Sequence, residues 1–185
     1  QGYTHLDRST LTELLRLLSD KALDARGDLF GKVYEYFLGR FAMSEGAKAG
    51  EFFTPTCLVR LIVEILEPFQ GRVFDPACGS GGMFVQCAKF VERHHESATR
   101  KLSVFGTEKT EDTVPLAKMN LALHGLSGDI RQANSYYEDP HHLLGQVDFV
   151  MANPPFNTDE VDAKKVENDP RLPFGLPGVN KQGKV

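Results

Sequence analysis

The sequence predicts an α/β fold in which a parallel sheet follows a helical N-terminal region. Three observations predict it. Apolar residues from 28 to 41 recur every three or four positions, which is typical of an amphipathic helix. After residue 68, short apolar runs typical of strands alternate with segments of helix length. Glycines and prolines separate these runs. Such alternation favours parallel strands joined by crossover helices.

Three helices are predicted before the sheet. Two cover residues 9–24 and 28–41, and a third begins near Thr54-Pro55, since proline suits the first helical turn, and ends before Pro68. The third carries an apolar stripe: Leu58, Leu61, Ile62, Ile65 and Leu66. We therefore divide the chain into an N-terminal helical region, residues 1–50, and an α/β domain, residues 51–185.

Four strands and two connecting helices are predicted in the α/β domain. The strands cover residues 72–75, 102–107, 130–133 and 147–152, and the helices cover residues 83–94 and 111–124. The tail from Asn157 onward is polar and contains prolines, so we predict a loop there. The adjacent pairs His94-His95 and His141-His142 are interpreted as surface histidines, because adjacent residues do not share one helical metal-binding face.

Composition and charge exclude several classes of protein. The 185 residues contain no apolar run near the roughly 20 that a membrane helix needs, and no signal-peptide pattern. The three cysteines have neither disulfide nor metal-ligand spacing, which favours a reducing compartment. A net charge of −4 gives no overall basic surface for nucleic acid, so such binding would need a local patch or another subunit. We expect a cytoplasmic protein.

The loop after the first predicted strand is the first candidate site. It reads Asp75-Pro76-Ala77-Cys78-Gly79-Ser80-Gly81-Gly82. The leading acid would repel a pyrophosphate, and Phe84 stands where a dinucleotide fingerprint needs its third glycine. S-adenosylmethionine carries a sulfonium, an ammonium and no phosphate, so this loop suits it better. A plain strand-to-helix turn is the alternative.

Two further polar residues follow predicted strands. Glu108 ends the second strand, where an acid can accept hydrogen bonds from the hydroxyls of an adenosine ribose; a solvated surface acid is the alternative. Asn134 follows the third strand and could bond an adenine edge, or simply form a turn.

The tetrad Asn153-Pro154-Pro155-Phe156 follows the most apolar strand. Its prolines remove two N–H donors, so the chain presents mainly acceptors: the Asn153 side-chain oxygen and the Pro154 carbonyl. Two acceptors and the Phe156 ring match an exocyclic amino group on a planar base. Against an activated methyl group, the main catalytic task is positioning, which contributes up to about 7–11 kcal/mol in well-oriented cases. A rigid turn is the alternative.

Taken together, four segments closely resemble the modification subunit of type I restriction–modification systems, a family of S-adenosylmethionine-dependent DNA adenine-N6 methyltransferases. The segments are Gly50-Glu51-Phe52-Phe53-Thr54-Pro55, Asp75-Pro76-Ala77-Cys78-Gly79-Ser80-Gly81, Lys118-Met119-Asn120-Leu121 and Asn153-Pro154-Pro155-Phe156. The resemblance runs from about Asp28 to the end and implies a Rossmann-like methyltransferase sheet. Because family members are much longer, and because the chain starts at Gln1 and ends without a closing element, we expect a piece of a larger bacterial or archaeal protein.

The resemblance also implies roles for individual residues. Asn153, Pro154, Pro155 and Phe156 would hold a flipped adenine. The residues implied at the S-adenosyl-L-methionine site are Glu51, Phe52, Phe53, Thr54, Asp75, Gly79, Ser80, Gly81, Glu108 and Asn134. No metal ligand is implied. The implied partners are DNA, a DNA specificity subunit and, in a complete system, a restriction (nuclease/translocase) subunit.

Two other functions stay open at this stage. One is methylation of protein glutamine or of RNA, since those methyltransferases share an Asn-Pro-Pro-aromatic tetrad. The other is a non-catalytic assembly module that keeps the cofactor fold and binds partners through its N-terminal helices.

Overall fold

The computed structural model describes residue 31 and residues 33–38, 54–154, 161–176, 178–180 and 182–184. Within these ranges four strands form one parallel sheet: β1 (Gly71–Asp75), β2 (Leu102–Glu108), β3 (Gly128–Gln132) and β4 (Phe149–Val150). Their order in the sheet is β3-β2-β1-β4. The predicted α/β class with a parallel, Rossmann-like sheet is confirmed.

The helices of the α/β part are α1 (Thr56–Leu66), α2 (Gly82–Arg93), α3 (Ala98–Lys101), α4 (Thr113–Leu123) and α5 (Ala163–Val166). α1, α2 and α4 match the predicted helices within about two residues. α3 and α5 are four residues long, too short to leave a periodic pattern in the sequence. The presence of α5 corrects the prediction that the whole tail is a loop.

The helical region is described in part. Residues 31 and 33–38 are helical, inside the predicted helix over residues 28–41. Tyr34 donates a hydrogen bond to the carbonyl of Leu116 at 3.0 Å, and Glu35 pairs with Lys89 at 2.9 Å. This segment therefore lies against α2 and α4. The helix predicted over residues 9–24 and the domain boundary at residues 50–51 lie outside the described residues, so both stay predictions.

The core forms between the sheet and α2. Val73 of β1 and Phe84 and Val91 of α2 have no exposed surface. Burying one such side chain contributes about 1.5–3 kcal/mol. Eight of the 12 residues of α2 are buried. The loop that precedes this helix is therefore held by a central element of the core.

The buried face of α1 differs from the prediction. Val59 and Val63, one helical turn apart, are its buried residues. Leu58, Leu61 and Ile65 of the predicted stripe are instead 52%, 57% and 71% exposed within the described structure. Apolar residues cover more than half of the circumference of α1, with Arg60 and Glu64 on the remaining side, so periodicity alone did not identify the part of the apolar surface that packs.

The fourth strand is shorter than predicted. Its pairing with β1 covers Phe149 and Val150, against residues 147–152 in the prediction. The backbone N–H groups of Asp148 and Met151 still bond carbonyls of β1 at 3.0 Å on either side of this pair. The chain therefore runs along β1 for four residues and reaches the edge of the sheet just before Asn153.

The His141 side chain is buried, so its interpretation as a surface histidine is wrong. It is 1% exposed. Nε2 lies 2.9 Å from the carbonyl of Gly106, and Nδ1 lies 3.2 Å from the Asp129 carboxylate. The ring also packs edge-on against Phe74 and Phe105. These partners come from three different strands, and adjacency in sequence could not reveal them.

No helix within the described ranges is both long enough and apolar enough to cross a membrane.

Candidate functional site

The strand order reverses beside β1. From β1 the chain continues to β2 on one side, whereas β4 lies on the other side. In open parallel sheets, ligands bind outside the carboxyl ends of the strands at such a reversal. The segments after β1 and β4 are the glycine loop and the residues leading to Asn153. Because neighbouring strands lie about 4.8 Å apart, these segments begin within reach of one small molecule.

Asp75 is the last residue of β1 and is 2% exposed. Its Oδ1 accepts a hydrogen bond from the N–H of Ala77 at 2.9 Å. Burial raises the pKa of Asp75 to about 7, although the Ala77 bond acts to lower it, and the nearby charge of Glu108 adds to the increase. The side chain is therefore a buried acid whose ionised form would gain from a cation beside it.

Two glycines give the loop after Asp75 its shape. Gly79 and Gly81 have φ values of 52° and 77°, in the left-handed region that glycine adopts without strain. The N–H of Cys78 donates to the carbonyl of Thr107 at 3.0 Å, which ties the loop to β2. Gly81 is also the N-cap of α2, with no side-chain cap. The loop thus turns sharply between β1 and α2, with only backbone at the start of the helix.

Glu108 ends β2 and contacts the glycine loop directly. One carboxylate oxygen accepts the N–H of Gly79 at 3.0 Å, and the other accepts the N–H of Thr110 at 2.7 Å. Glu108 as a whole residue is 9% exposed, so the alternative of a solvated surface acid is wrong. Each carboxylate oxygen has two acceptor positions, so Glu108 keeps capacity for a further donor such as a hydroxyl. Its role toward a ribose stays a prediction.

Asn120 supports the loop from α4 and was not assigned a role from the sequence. It is 1% exposed, and its Nδ2 donates to the carbonyl of Ser80 at 2.8 Å. Its Oδ1 is buried without a hydrogen-bond partner among the described residues. Asn120 belongs to one of the four family-like segments, and that membership is the feature of the sequence that could have indicated its role. A tertiary contact to Ser80 could not be read from that segment alone.

Asn134 forms a turn after β3. Its Oδ1 accepts the N–H of Tyr136 at 3.1 Å, and its own N–H donates to the Glu138 carboxylate at 3.1 Å. This is the turn that the sequence left open for Asn134. The turn fixes the position of the Asn134 backbone. A contact between its side chain and an adenine ring stays a prediction.

Arg171 holds this turn from the tail of the chain. Its guanidinium donates to the carbonyls of Ser135 and Glu138 at 2.9 and 2.8 Å and pairs with Asp169 at 2.6 Å. The bond from Arg171 lowers the pKa of Asp169 to about 2. Ser135 in turn donates from its hydroxyl to the carbonyl of Pro76, beside the glycine loop. The tail, predicted only as a loop, therefore braces the site.

Asn153 follows β4 and contacts the segment before α1. Its Nδ2 donates to the hydroxyl oxygen of Thr54 at 3.0 Å, across 99 positions of sequence. Both residues are half-buried, and Pro154 is exposed. Two of the four family-like segments therefore meet in space. The remaining residues implied here, Glu51, Phe52, Phe53, Pro155 and Phe156, lie outside the described residues.

Cys78 is a packing residue of the loop. It is 6% exposed, and burial together with the charges of Asp75 and Glu108 raises the pKa of its thiol well above the usual range. A thiol held protonated in this way is a poor nucleophile.

An apolar cavity of about 490 Å³ opens beside β1 and β4, and Pro76, Ser135 and Arg171 border it. Phe74, Val150 and Leu172 are among its lining residues, and none of the sequence-predicted site residues lines it. The lining is mainly hydrophobic, and Asp75, Glu108 and Asn153 do not belong to it.

The two carboxylates at the ends of β1 and β2 fit a cationic ligand. Within the described ranges, Asp75 and Glu108 accept hydrogen bonds from backbone N–H groups and have no Lys, Arg or His partner. Two buried carboxylates without a cation favour a positively charged ligand over a phosphate. S-adenosylmethionine fits this set, because it carries positive charge and ribose hydroxyls that can donate to a carboxylate.

These features define a Rossmann-like α/β protein of the methyltransferase class. The family model for N-6 DNA methylases matches residues 25–184, and the chain belongs to that family.

The similar proteins carry consistent names. The chain is 45% identical over 151 residues to the type I restriction enzyme HindI methylase subunit of Haemophilus influenzae, covering 81% of this chain and 34% of that protein. It is 45% identical over 149 residues to the MjaIX methylase subunit of Methanocaldococcus jannaschii, covering 80% and 26%. The crystal structure of a type I restriction-modification system methyltransferase subunit from Streptococcus thermophilus superimposes with a TM-score of 0.75 and 28% identity, covering 89% of this chain and 36% of that one. The chain thus spans about a third or less of the curated relatives' length.

Proposed function

We propose that this chain is the catalytic part of the modification subunit of a type I restriction–modification complex, a DNA methyltransferase that methylates N6 of adenine. One observation carries the proposal: Asn153 follows β4 at the point where the strand order reverses, beside the acid-bearing loop after β1. Membership of the N-6 DNA methylase family and the names of the relatives support the same reaction.

The residues at the ends of β1 and β2 would bind the methyl donor. S-adenosyl-L-methionine supplies a methyl group on a sulfonium, which is already an activated electrophile. Asp75 would favour the positive part of the donor, and Glu108 would accept from its ribose hydroxyls. Gly79, Ser80 and Gly81 would give close backbone approach, because no side chain projects from the two glycines. Asn134 would lie beside the adenine ring, and residues 51–54 would border the donor.

The segment after β4 would hold the target base. The Asn153 side-chain oxygen and the Pro154 carbonyl would accept the two N–H groups of the adenine amino group. Accepting both bonds localises the nitrogen lone pair and directs it at the methyl group. Pro155 would stiffen the segment, and Phe156 would stack on the base. A neutral amide suffices here, since the proton can leave after the nitrogen has gained its methyl group.

The proposed partners follow from the same assignment. The chain has a net charge of −4 and so no overall basic surface for DNA. We therefore assign recognition of the DNA sequence to a separate specificity subunit. DNA would be the substrate, and a restriction subunit would join in a complete system. The complex would work in the cytoplasm, where the DNA is.

Replacing Asn153 with alanine tests the proposal. We expect Asn153→Ala in the full-length protein, assayed with its partner subunits, to lower methyl transfer at least about a hundredfold, the scale seen when one preorganised polar group is removed from a reacting centre. Binding of S-adenosylmethionine, measured by calorimetry, should change less than about twofold, because the removed amide is assigned to the base. Asn168→Ala, at an exposed asparagine in the tail, is the matched control.

Other outcomes point to different functions. Equal loss of transfer and cofactor binding in Asn153→Ala would mean that the residue is structural. If the protein without the substitution binds the cofactor but does not methylate DNA, a glutamine or RNA substrate is favoured, or a module that assembles without catalysing.

A further inference from the structure

Thr54 lies at a rigid position just before α1. Pro55 follows it with φ −52° and ψ 130°, and the Pro55 carbonyl accepts the N–H groups of Leu58 and Val59 at 2.9 and 3.2 Å. A residue before proline is restricted to extended backbone conformations. Val59 and Val63 anchor the helix in the core. The Thr54 hydroxyl is therefore presented from a fixed backbone and not from a free loop.

Asn153 approaches Thr54 from an equally fixed strand. The N–H of Met151, two residues earlier, bonds the carbonyl of Phe74 in β1 at 3.0 Å. The Asn153 Nδ2 then donates to the Thr54 hydroxyl oxygen at 3.0 Å. This bond joins a residue that precedes the first strand of the sheet to a residue that follows the last one.

The direction of this hydrogen bond matters for the chemistry. A carboxamide has a donor side and an acceptor side, and a target amino group needs the acceptor. When Nδ2 donates to Thr54, Oδ1 lies at the other edge of the same amide plane, directed away from the Thr54 hydroxyl. A turned amide would accept from the Thr54 hydroxyl through Oδ1 and would present its N–H groups to the amino group of the base. The arrangement in the structure, with Nδ2 toward Thr54, is therefore the one that suits the base.

We propose that Thr54 is a positioning residue for Asn153: its hydroxyl oxygen holds the amide nitrogen and so directs Oδ1 toward the amino group of the target base. The inference rests on the proposed function and adds to it, because the family resemblance assigned Thr54 only to the border of the cofactor. It also joins the cofactor-binding and base-binding segments through one bond.

The test compares Thr54→Val, which keeps the shape and removes the hydroxyl, with Thr54→Ser, which restores it. In the full-length protein with its partner subunits, kcat for DNA methylation should fall roughly three- to tenfold in Thr54→Val, the effect expected from losing one neutral hydrogen bond. KM for DNA and the affinity for S-adenosylmethionine should change less than about twofold. Thr54→Ser should recover kcat. Thr56→Val, at an exposed threonine two positions on, is the matched control and should behave as the parent.

A second measurement does not depend on activity. In protein labelled with ¹⁵N-asparagine, we expect hydrogen exchange of the Asn153 side-chain amide to be slow in the parent and in Thr54→Ser, and faster in Thr54→Val. Equal exchange in all three proteins would overturn the inference. So would a parallel loss of kcat and cofactor affinity in Thr54→Val, which would make Thr54 a cofactor contact.

The two measurements separate failure of this inference from failure of the proposed function. If the parent does not methylate DNA while Asn153 exchange depends on Thr54, the positioning role stands and the proposed reaction fails. If the parent methylates DNA and Thr54→Val matches it in both kcat and exchange, the reaction stands and the positioning role fails.

Discussion

Asp75 is deeply buried and lies near the negative charge of Glu108, and both effects raise the pKa of its carboxyl group. The hydrogen bond from the Ala77 N–H opposes this increase in pKa, and no cation within the described residues adds to that opposing effect. With a pKa of about 7, Asp75 carries a proton in roughly half of the molecules without ligand at neutral pH. A cationic ligand would favour the ionised carboxylate and release that proton.

This burial predicts a measurable pH dependence of stability. The pKa of Asp75 is about 7 in the folded chain and 3.8 in its ordinary state. Between these values the native state binds more protons than the unfolded state, so the free energy of unfolding falls as pH rises, by at most about 1.4 kcal/mol per pH unit. Urea denaturation at pH 4.5 to 8 should show this fall in the parent and a flatter curve in Asp75→Asn.

The control for this prediction is Asp112→Asn, which removes an exposed carboxyl and leaves the buried one. Curves for the parent and Asp75→Asn that stay parallel across the whole range would contradict the account of Asp75.

At the scale of the element, the turn from β1 into α2 depends on left-handed glycine. Gly81 has φ 77°, whereas its neighbour Gly82 begins α2 with an ordinary helical backbone. A Cβ on Gly81 would meet Ala117 no closer than 3.7 Å, and a Cβ on Gly82 would meet nothing within 4 Å. The two positions therefore offer similar space and differ in backbone conformation.

We expect Gly81→Ala to lower the free energy of unfolding by about 1–2 kcal/mol, because a Cβ in the left-handed region is strained. Gly82→Ala is the matched control and should be neutral or stabilising by up to about 1 kcal/mol, since alanine favours the helix. Urea denaturation of the parent and both variants measures the difference. A Gly81→Ala variant as stable as Gly82→Ala would show that the turn does not require glycine.

At the scale of the whole molecule, the sequence was most informative where a residue's role depends on its own strand. The runs before Asp75, Glu108 and Asn153 predicted three strands, and parallel strands bring their carboxyl ends to one edge. That rule predicts the location of the candidate site from the strands alone, without any side-chain contact.

Contacts between distant segments could not be predicted in the same way. The bonds from Asn120 to Ser80, from Arg171 to the turn after β3, and from Asn153 to Thr54 each join elements that only tertiary packing brings together. The buried face of α1 was missed for a related reason. The apolar surface of that helix is wider than the part that packs, and contact with α2 buries Val59 and Val63.

The measurement that tests the central claim most directly is the N6-methyladenine content of DNA, determined by mass spectrometry of nucleosides. DNA is treated with the full-length protein and S-adenosylmethionine, with and without the products of the neighbouring genes. We expect N6-methyladenine to form, and to depend on a partner that supplies sequence recognition. No N6-methyladenine in either case, from a protein that binds S-adenosylmethionine tightly, would contradict the assignment of adenine in DNA as the substrate.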